Sequence, residues 1–171
     1  MEFSKIVRQR RSVRAFAPEG VTDVQLQVIL ESANRAPSAG NLQAYEIYVV
    51  RQAELRQRLA RAALDQEFIA QAPLALVFCA NPQRSAWRYR ARGEQLYATQ
   101  DATIACTFAM LAAVDQGLGT TWVGAFDDED VRRAIGAPPE HRPVAILPVG
   151  VPAEHPPFSG RRQLESFVHV V

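Results

Sequence analysis

Leu74-Ala75-Leu76-Val77-Phe78-Cys79-Ala80 is an uninterrupted apolar run with the length of a strand. A strand that is apolar at every position is buried on both faces, so this segment is predicted to lie in the middle of a sheet. Tyr45–Val50 and Pro143–Gly150 are predicted to be further strands, and a β-rich segment is expected over Gly119–Phe126.

Helices are predicted on both sides of these strands from apolar residues at helical spacing. The first covers residues 2–10. The second covers residues 22–35 and begins with a capping box of Thr22 and Gln25. A third is expected over Ala53–Ala63.

The longest predicted helix covers Gln95–Gln116 and is apolar nearly all round. A helix of this kind is buried on more than one side, which predicts packing against a second subunit as well as against its own core. The C-terminal segment Phe167–Val171 has the character of a strand and follows a long irregular arm. It is therefore predicted to add to the sheet of another subunit.

The 171 residues are predicted to form a single domain over 1–171. With 48% hydrophobic and 22% charged residues the composition is typical of a soluble globular protein, and no apolar run has the length of a membrane span. Charges are spread through residues 1–14, so no secretory segment is visible there. Cys79 and Cys106 lie in apolar stretches and are predicted to be buried free thiols in the cytoplasm. The three histidines have no ligand spacing, and no metal site is predicted.

The segment Arg8–Phe16 contains four arginines and a serine within seven positions. Guanidinium groups and a hydroxyl suit phosphate oxygens, so the segment predicts an anion site. The formal net charge of the chain is only +1, which argues against a basic surface for nucleic acid. The alternative also stays open that the arginines interact favourably with the helix dipole at a helix C-terminus.

Two other segments have features of a ligand site. Ala36–Gln43 is a loop of small and amide-bearing residues that can approach a flat ligand, although a simple turn explains it equally well. Gly124 would let a ligand approach the main chain and accept a hydrogen bond from its N–H.

Two charged segments can be explained without a functional site. Trp87–Gly93 is a second basic patch with Arg88, Arg90 and Arg92, and it is either a contact for a substrate or partner or simply exposed surface. The acidic run Asp127–Asp130 suggests a metal site, but it precedes a predicted helix over Val131–Ile135. Carboxylates at a positive helix N-terminus explain the run without a metal.

In their order and spacing, these features resemble the FMN-dependent nitroreductase family. The matching stretches extend over essentially the whole chain and are Arg10–Phe16, Ala36–Gln43, Gln100–Ala102, Gly117–Phe126, Pro143–Gly150 and Arg161–Glu165. The resemblance implies an α+β, nitroreductase-like fold with a central, mostly antiparallel sheet surrounded by helices. It also implies a homodimer in which the C-terminal segment is exchanged with the partner subunit. One departure is that many members have Pro-Trp where this chain has Ala44-Tyr45, which concerns the rigidity of the loop.

The same resemblance implies FMN bound at the subunit interface. The residues that would bind it are Arg10, Arg11, Ser12, Arg14, Pro37, Ser38, Asn41, Gln43, Gln66, Gly124, Arg161 and Arg162. The arginines and Ser12 match the family's site for the phosphate and ribityl groups. The loop residues match a loop of the other subunit that contacts the isoalloxazine ring. Gln66 matches a contact to the pyrimidine edge of that ring. Gly124 has the catalytic position whose backbone N–H points at flavin N5, and Arg14 is assigned part of the positive charge near the N1 and C2 edge.

The implied activity is that of an FMN-dependent NAD(P)H oxidoreductase. It would transfer a hydride through flavin N5, in ping-pong turnover, to nitroaromatic, quinone or similar small-molecule acceptors. The alternatives are a dedicated reductase or dehydrogenase of one biosynthetic intermediate, a non-catalytic flavin-binding protein, or an anion-binding interaction protein. No Gly-rich dinucleotide fingerprint is present, so the sequence does not choose between NADH and NADPH. Neither nucleic acid nor a membrane is predicted as a partner.

Overall fold

The structure is a computed structural model that describes residues 2–171. Within these residues the sheet has four strands: β1 (Tyr45–Val50), β2 (Leu74–Ala80), β3 (Gly119–Thr120) and β4 (Arg142–Gly150). Their order is β1-β2-β4-β3, and every neighbouring pair is antiparallel. All residues of β2 are buried. The predictions of a doubly buried central strand and of an antiparallel sheet are therefore confirmed.

Helices form at the predicted segments with small shifts at their ends, and a helix over Pro82–Arg92 was not predicted. They are α1 (Phe3–Gln9), α2 (Asp23–Asn34), α3 (Ala53–Ala62), α4 (Phe68–Gln71), α5 (Pro82–Arg92), α6 (Ala98–Asp115) and α7 (Asp128–Ala134). The capping box of α2 is present, with a hydrogen bond of 3.2 Å from Gln25 N to Thr22 Oγ1 and one of 3.0 Å from Thr22 N to Gln25 Oε1. Asp127 caps α7 by accepting a hydrogen bond from Asp130 N at 2.8 Å, so the acidic run begins a helix as predicted.

Helices cover both faces of the sheet. On one face α6 packs against alternate residues of β2 such as Leu76 and Phe78, and α2 packs against α6. On the other face α3, α4 and α7 pack against Ala75 and Val77. Full burial of a side chain such as Phe78 contributes about 1.5–3 kcal/mol. The α+β arrangement expected from the sequence is thus confirmed.

Helix α6 crosses the molecule beneath the sheet. Its buried side is made of small residues, including Ala102, Ala105 and Ala109. On its outer side Phe108 is 38% exposed and Leu96, just before the helix, is 36% exposed. Packing of this side against a second subunit stays a prediction. No helix within residues 2–171 has both the length and the apolar character needed to span a membrane.

The structure adds detail at three segments. The basic patch forms the end of α5, where Arg90 has a φ of +51° and the chain turns into a π-helical segment over Gly93–Tyr97. The β-rich segment is reduced to the two residues of β3 and an isolated bridge at Val123. Residues 167–171 form no strand, because they lie on the surface with no sheet edge of the same chain beside them. Exchange of this segment with a partner subunit stays a prediction.

Both cysteines are buried free thiols, as predicted. Burial raises the pKa of the Cys79 thiol to about 12, and the charges of Glu46 and Asp128 add to this shift. Burial likewise raises the pKa of the Cys106 thiol. Both groups are therefore protonated at neutral pH, and the thiolate is the reactive form of cysteine.

We expect neither thiol to react with an aromatic disulfide reagent at pH 7.5 while the protein is folded. In guanidinium chloride both should react within minutes, because unfolding restores the ordinary pKa and exposes the sulfur atoms. The release of the coloured thiol leaving group measures both reactions. Fast labelling of the folded protein would contradict the buried position of either cysteine.

Candidate functional site

The arginine segment lies along the open edge of β3. Ser12 forms a parallel bridge with Thr120, and Val13 N donates a hydrogen bond of 3.0 Å to Thr120 O. On its other side the segment is held by Glu154, whose carboxylate accepts hydrogen bonds from the backbone N–H groups of Arg14 and Ala15. This backbone is therefore fixed while its side chains are free to face a ligand.

Residues from both ends of the chain surround a cavity of about 240 Å³ beside this segment. It is lined by Arg10, Arg11, Ser12, Arg14, Pro156, Pro157, Phe158, Ser159 and Arg161. The structure thus brings together the N-terminal cluster and one of the two tail arginines, as expected for an anion site. We call this cavity the arginine pocket.

The charge of Arg10 has no counter-ion. Its guanidinium is half-buried and makes neither a hydrogen bond nor an ion pair with residues 2–171. Burial lowers the pKa of Arg10 from its ordinary value, and the nearby charges of Arg161 and Arg11 lower it further. A phosphate group in the pocket would relieve this repulsion, so the residues present fit a phosphate-bearing cofactor.

Phe158 organises the tail side of the pocket. The guanidinium carbons of Arg11 and Arg161 each lie 5.3 Å from the centroid of its ring. Arg11 also donates hydrogen bonds from Nη1 to the carbonyl oxygens of Arg8 and Arg10, at 2.7 and 2.9 Å. One nitrogen of Arg11 therefore caps the end of α1, which is the alternative that the sequence left open, while the side chain still lines the pocket.

Arg162 is not brought to the arginine pocket. Its Nη2 donates to Ser166 O at 2.9 Å, and its guanidinium lies 5.2 Å from the centroid of the Phe167 ring. The adjacent tail residues thus point in different directions, because a 3₁₀ turn over Leu164–Ser166 draws Arg162 away. Phe158 and Glu154 were missed from the sequence, and only the position of Phe158 beside the tail arginines hinted at a role.

Gln66 contacts the segment that contains Gly124, and Arg14 contacts Phe68, two residues after Gln66. Gln66 Nε2 donates hydrogen bonds to Ala63 O at 2.8 Å and to Ala125 O at 3.1 Å, which fixes the segment that contains Gly124. Gly124 is exposed, and its N–H has no hydrogen-bond partner among the described residues. The Arg14 guanidinium lies 5.9 Å from the centroid of the Phe68 ring. The N–H of Gly124 and the guanidinium of Arg14 therefore both lack a hydrogen-bond partner among the described residues.

The loop over residues 37–43 has a strained backbone. Gly40, Asn41 and Gln43 have φ values of +56°, +57° and +45°. A positive φ is unfavourable for a residue with a side chain and persists only where the surroundings enforce it. Here Ser38 Oγ accepts a hydrogen bond from Gln43 N at 3.0 Å, and the amide side chains of Asn41 and Gln43 bond to each other.

Asp101 holds both ends of this loop. It is 2% exposed, and its carboxylate accepts hydrogen bonds from Ala39 N at 2.9 Å and from Ala44 N at 3.2 Å. Asp101 is the only charged residue between Gln95 and Val114, and a lone acid in an apolar helix is a signal that the sequence interpretation did not use. From the outside α5 adds hydrogen bonds from Arg84 and Arg88 to the loop carbonyls of Leu42 and Gly40.

Pro37 and Ser38 line a different cavity from the arginine pocket. This second cavity, of about 680 Å³, is called the α6 cavity, and it shares no lining residue with the first. The loop leads into β1 at one edge of the sheet, whereas the arginine segment lies beside β3 at the other edge. Three strand spacings, about 14 Å, separate the two edges.

Comparisons with known proteins bear on this arrangement. Residues 7–67 and 63–151 match the model of the nitroreductase family. The chain belongs to the nitroreductase family. The resemblance expected from the sequence is thereby confirmed.

Two relatives and one solved structure are similar to this chain over most of its length. The chain is 31% identical over 187 residues to an NADH dehydrogenase of Thermus thermophilus, covering 94% of this chain and 91% of the relative. It is 29% identical over 181 residues to an FMN reductase (NAD(P)H) of Bacillus subtilis, covering 98% of this chain and 73% of the relative. The solved structure of NfrA2 from B. megaterium superposes with a TM-score of 0.89 at 31% identity, covering 97% of this chain and 72% of that one. The nitroreductase-like fold is thus confirmed.

The hydrogen bond from Ala44 N to Asp101 would be impossible in nitroreductases with proline at this position, because proline has no N–H. In this chain the loop therefore keeps its conformation through a buried carboxylate instead of a proline ring.

We expect Asp101→Asn to lower the free energy of unfolding by about 1–3 kcal/mol, because one of the two backbone N–H groups would lose its acceptor. Urea unfolding measures this effect. Asp23→Asn is the control, because Asp23 forms an exposed ion pair with Arg51, and its loss should change stability by less than about 1 kcal/mol. Equal effects of the two substitutions would contradict the role of Asp101.

Proposed function

We propose that this chain is an FMN-dependent NAD(P)H oxidoreductase that acts as a homodimer on nitroaromatic, quinone or similar acceptors. The observation that carries the proposal is the half-buried Arg10 without a counter-ion, in a pocket with Arg11, Arg161 and Ser12. Membership of the nitroreductase family and the name of its FMN reductase relative support the same conclusion.

In this proposal the arginine pocket binds the FMN phosphate. Arg10 and Arg161 provide the charge, and Ser12 provides a hydroxyl donor between them. Arg11 takes part with the nitrogen atoms that do not cap α1. Arg162 would need a different side-chain position to contribute, since Ser166 and Phe167 hold it in this structure.

The loop of Pro37, Ser38, Asn41 and Gln43 is proposed to meet the flavin ring from the partner subunit. The loop and the arginine pocket lie at opposite edges of the sheet of one chain, which favours contribution from two chains. The exposed apolar side of α6 and the exposed C-terminal segment offer the surfaces for such a dimer.

When bound, FMN would supply hydride transfer from NAD(P)H to an acceptor through N5, in ping-pong turnover. Gly124 would offer its free N–H to N5 from a segment that Gln66 fixes. The guanidinium of Arg14 would stabilise negative charge at the N1 and C2 edge, and Gln66 would lie at the pyrimidine edge. Among the described residues no carboxylate lines the arginine pocket, and the nearby carboxylate of Glu154 accepts hydrogen bonds from the backbone of Arg14 and Ala15.

The direct test is the absorbance spectrum of the purified protein, followed by denaturation and identification of the released flavin. Equimolar FMN, together with NAD(P)H oxidation that depends on an added acceptor, would support the proposal. A protein that binds FMN without turnover would be a flavin-binding protein, and a narrow acceptor profile with poor nitro and quinone rates would indicate a dedicated reductase. A colourless protein that takes up no FMN would refute the proposal.

We expect Arg10→Gln and Arg161→Gln each to weaken FMN binding about tenfold or more, because each removes a charged hydrogen-bond donor to the phosphate. Riboflavin differs from FMN by the phosphate alone, so its affinity should stay nearly unchanged in both variants. Fluorescence titration of the apoprotein measures both affinities. Arg58→Gln, which alters an exposed arginine on α3, is the matched control and should change neither. A parallel loss of riboflavin affinity would point to a structural defect instead of a phosphate site.

We expect Arg14→Ala to lower both FMN retention and the midpoint potential of the bound flavin. The reason is that the reduced flavin carries negative charge, which a nearby guanidinium stabilises. Anaerobic titration against a dye of known potential measures this shift. An unchanged potential at full occupancy would remove Arg14 from the mechanism.

A further inference from the structure

The α6 cavity has the walls of a site for a planar organic molecule. Leu96, Tyr97 and Ile104 provide apolar surface, and Pro37 and Ser38 bring the loop to its edge. Its volume of about 680 Å³ is in the range of small-molecule sites, which combine apolar walls with a few polar groups. Because the loop is proposed to meet the flavin ring, the cavity adjoins the place where an acceptor would react.

One charged side chain in the wall of this cavity has no counter-ion. The guanidinium of Arg142, at the start of β4, donates a hydrogen bond to Thr99 Oγ1, which orients it. No carboxylate within residues 2–171 lies within 4.0 Å of its nitrogen atoms. Asp101 also lines the cavity, but it is almost fully buried and holds two backbone N–H groups with its oxygens. The group in the wall that can bind an ion is therefore a cation.

Helix α5 adds positive charge at the rim of the cavity. Arg84 and Arg88 are spaced four residues apart and so share one face of the helix, which contains no acidic residue, and Arg92 follows the kink at Arg90. Arg92 Nε donates a hydrogen bond of 2.9 Å to the hydroxyl of Tyr97, a residue of the cavity wall. Arg88 reaches Gly40 O at 3.5 Å, beside the loop residues that line the cavity. None of these arginines has an ion pair within residues 2–171.

We propose that the α6 cavity binds planar aromatic acceptors that carry a carboxylate or sulfonate, and that Arg142 pairs with this anionic group. The arginines of α5 attract the same anion to the mouth of the cavity, as rows of like charge do for charged ligands. This proposal rests on the proposed function, and it names the class of acceptor. It also gives the second basic patch a role at the rim of the site, since that patch is the end of α5.

The test compares two acceptors of nearly the same shape, 4-nitrobenzoate and 4-nitrobenzamide, with the FMN-loaded protein. The unaltered protein should have the higher kcat/KM for the anion. In Arg142→Gln the value for 4-nitrobenzoate should fall about tenfold or more, while that for 4-nitrobenzamide should change less than about twofold. Arg58→Gln is again the control and should leave both values unchanged, because α3 lies on the opposite face of the sheet from α6.

A binding measurement without turnover accompanies the kinetics. Benzoate and benzamide are titrated into the oxidised FMN protein, and the change in flavin absorbance gives each dissociation constant. We expect Arg142→Gln to weaken benzoate binding about tenfold and to leave benzamide binding unchanged. The rate of flavin reduction by NADH and by NADPH, measured before any acceptor is added, should be the same in Arg142→Gln and in the unaltered protein.

Three results would overturn the proposal. Equal loss for the anionic and neutral ligands would mean that Arg142 only shapes the cavity. Slower flavin reduction by NAD(P)H in Arg142→Gln, with an unchanged ratio of kcat/KM between 4-nitrobenzoate and 4-nitrobenzamide, would mean that Arg142 binds the phosphates of the dinucleotide. No binding of either ligand, in a protein that is reduced by NAD(P)H, would mean that a partner subunit fills the cavity. In each of these cases the flavin is still reduced, so the proposed function stands, whereas its own failure would appear as an absence of FMN or of NAD(P)H oxidation.

Discussion

Burial of β2 on both faces is the constraint on which the arrangement of this chain depends. A strand without any exposed position needs a partner strand on each side and a layer of helices on each face. Strands β1 and β4 provide the first, and α2 and α6 below with α3, α4 and α7 above provide the second. The helices then leave both edges of the sheet open to other segments of the chain. The loop before β1 occupies one edge, and the arginine segment occupies the other beside β3.

The separation of these two edges is the reason that the proposed site needs residues from two chains. The arginine pocket can hold an anion but has few apolar walls, whereas the loop that is proposed to meet the flavin ring lies at the other edge of the sheet. A ligand with a phosphate at one end and a flat ring at the other needs both kinds of surface. In the proposed homodimer, the loop of one chain would meet the arginine pocket of the other.

Rigidity at the loop comes from a buried carboxylate. A left-handed conformation at Asn41 and Gln43 is unfavourable, and a loop without proline at position 44 has more freedom to leave it. Asp101 compensates by accepting hydrogen bonds on both sides of the strained residues. Because a buried carboxylate needs such donors as much as the loop needs an acceptor, the two features stabilise each other. Tyr45 follows Ala44 in the chain. Burial raises the pKa of its phenol, and the charge of Asp101 raises this pKa further.

The amino-acid sequence by itself determined the features that depend on local pattern. Continuous hydrophobicity identified β2, helical spacing and the capping box of Thr22 and Gln25 identified α2, and the density of guanidinium groups predicted an anion site. Each of these follows from residues close together in the chain, whose physical requirements are the same in any fold. The family resemblance extended this to the loop and to Gly124.

Tertiary structure alone decided how distant residues combine. Arg161 reaches the arginine pocket because Phe158 stacks on it, whereas its neighbour Arg162 is turned away by Ser166 and Phe167. The bond between Asp101 and Ala44 joins residues 57 positions apart, and Arg142 enters the α6 cavity from a strand far along the chain. Sequence spacing contains no information on such contacts, because they depend on the register of strands and on side-chain directions that are fixed only when the core is packed.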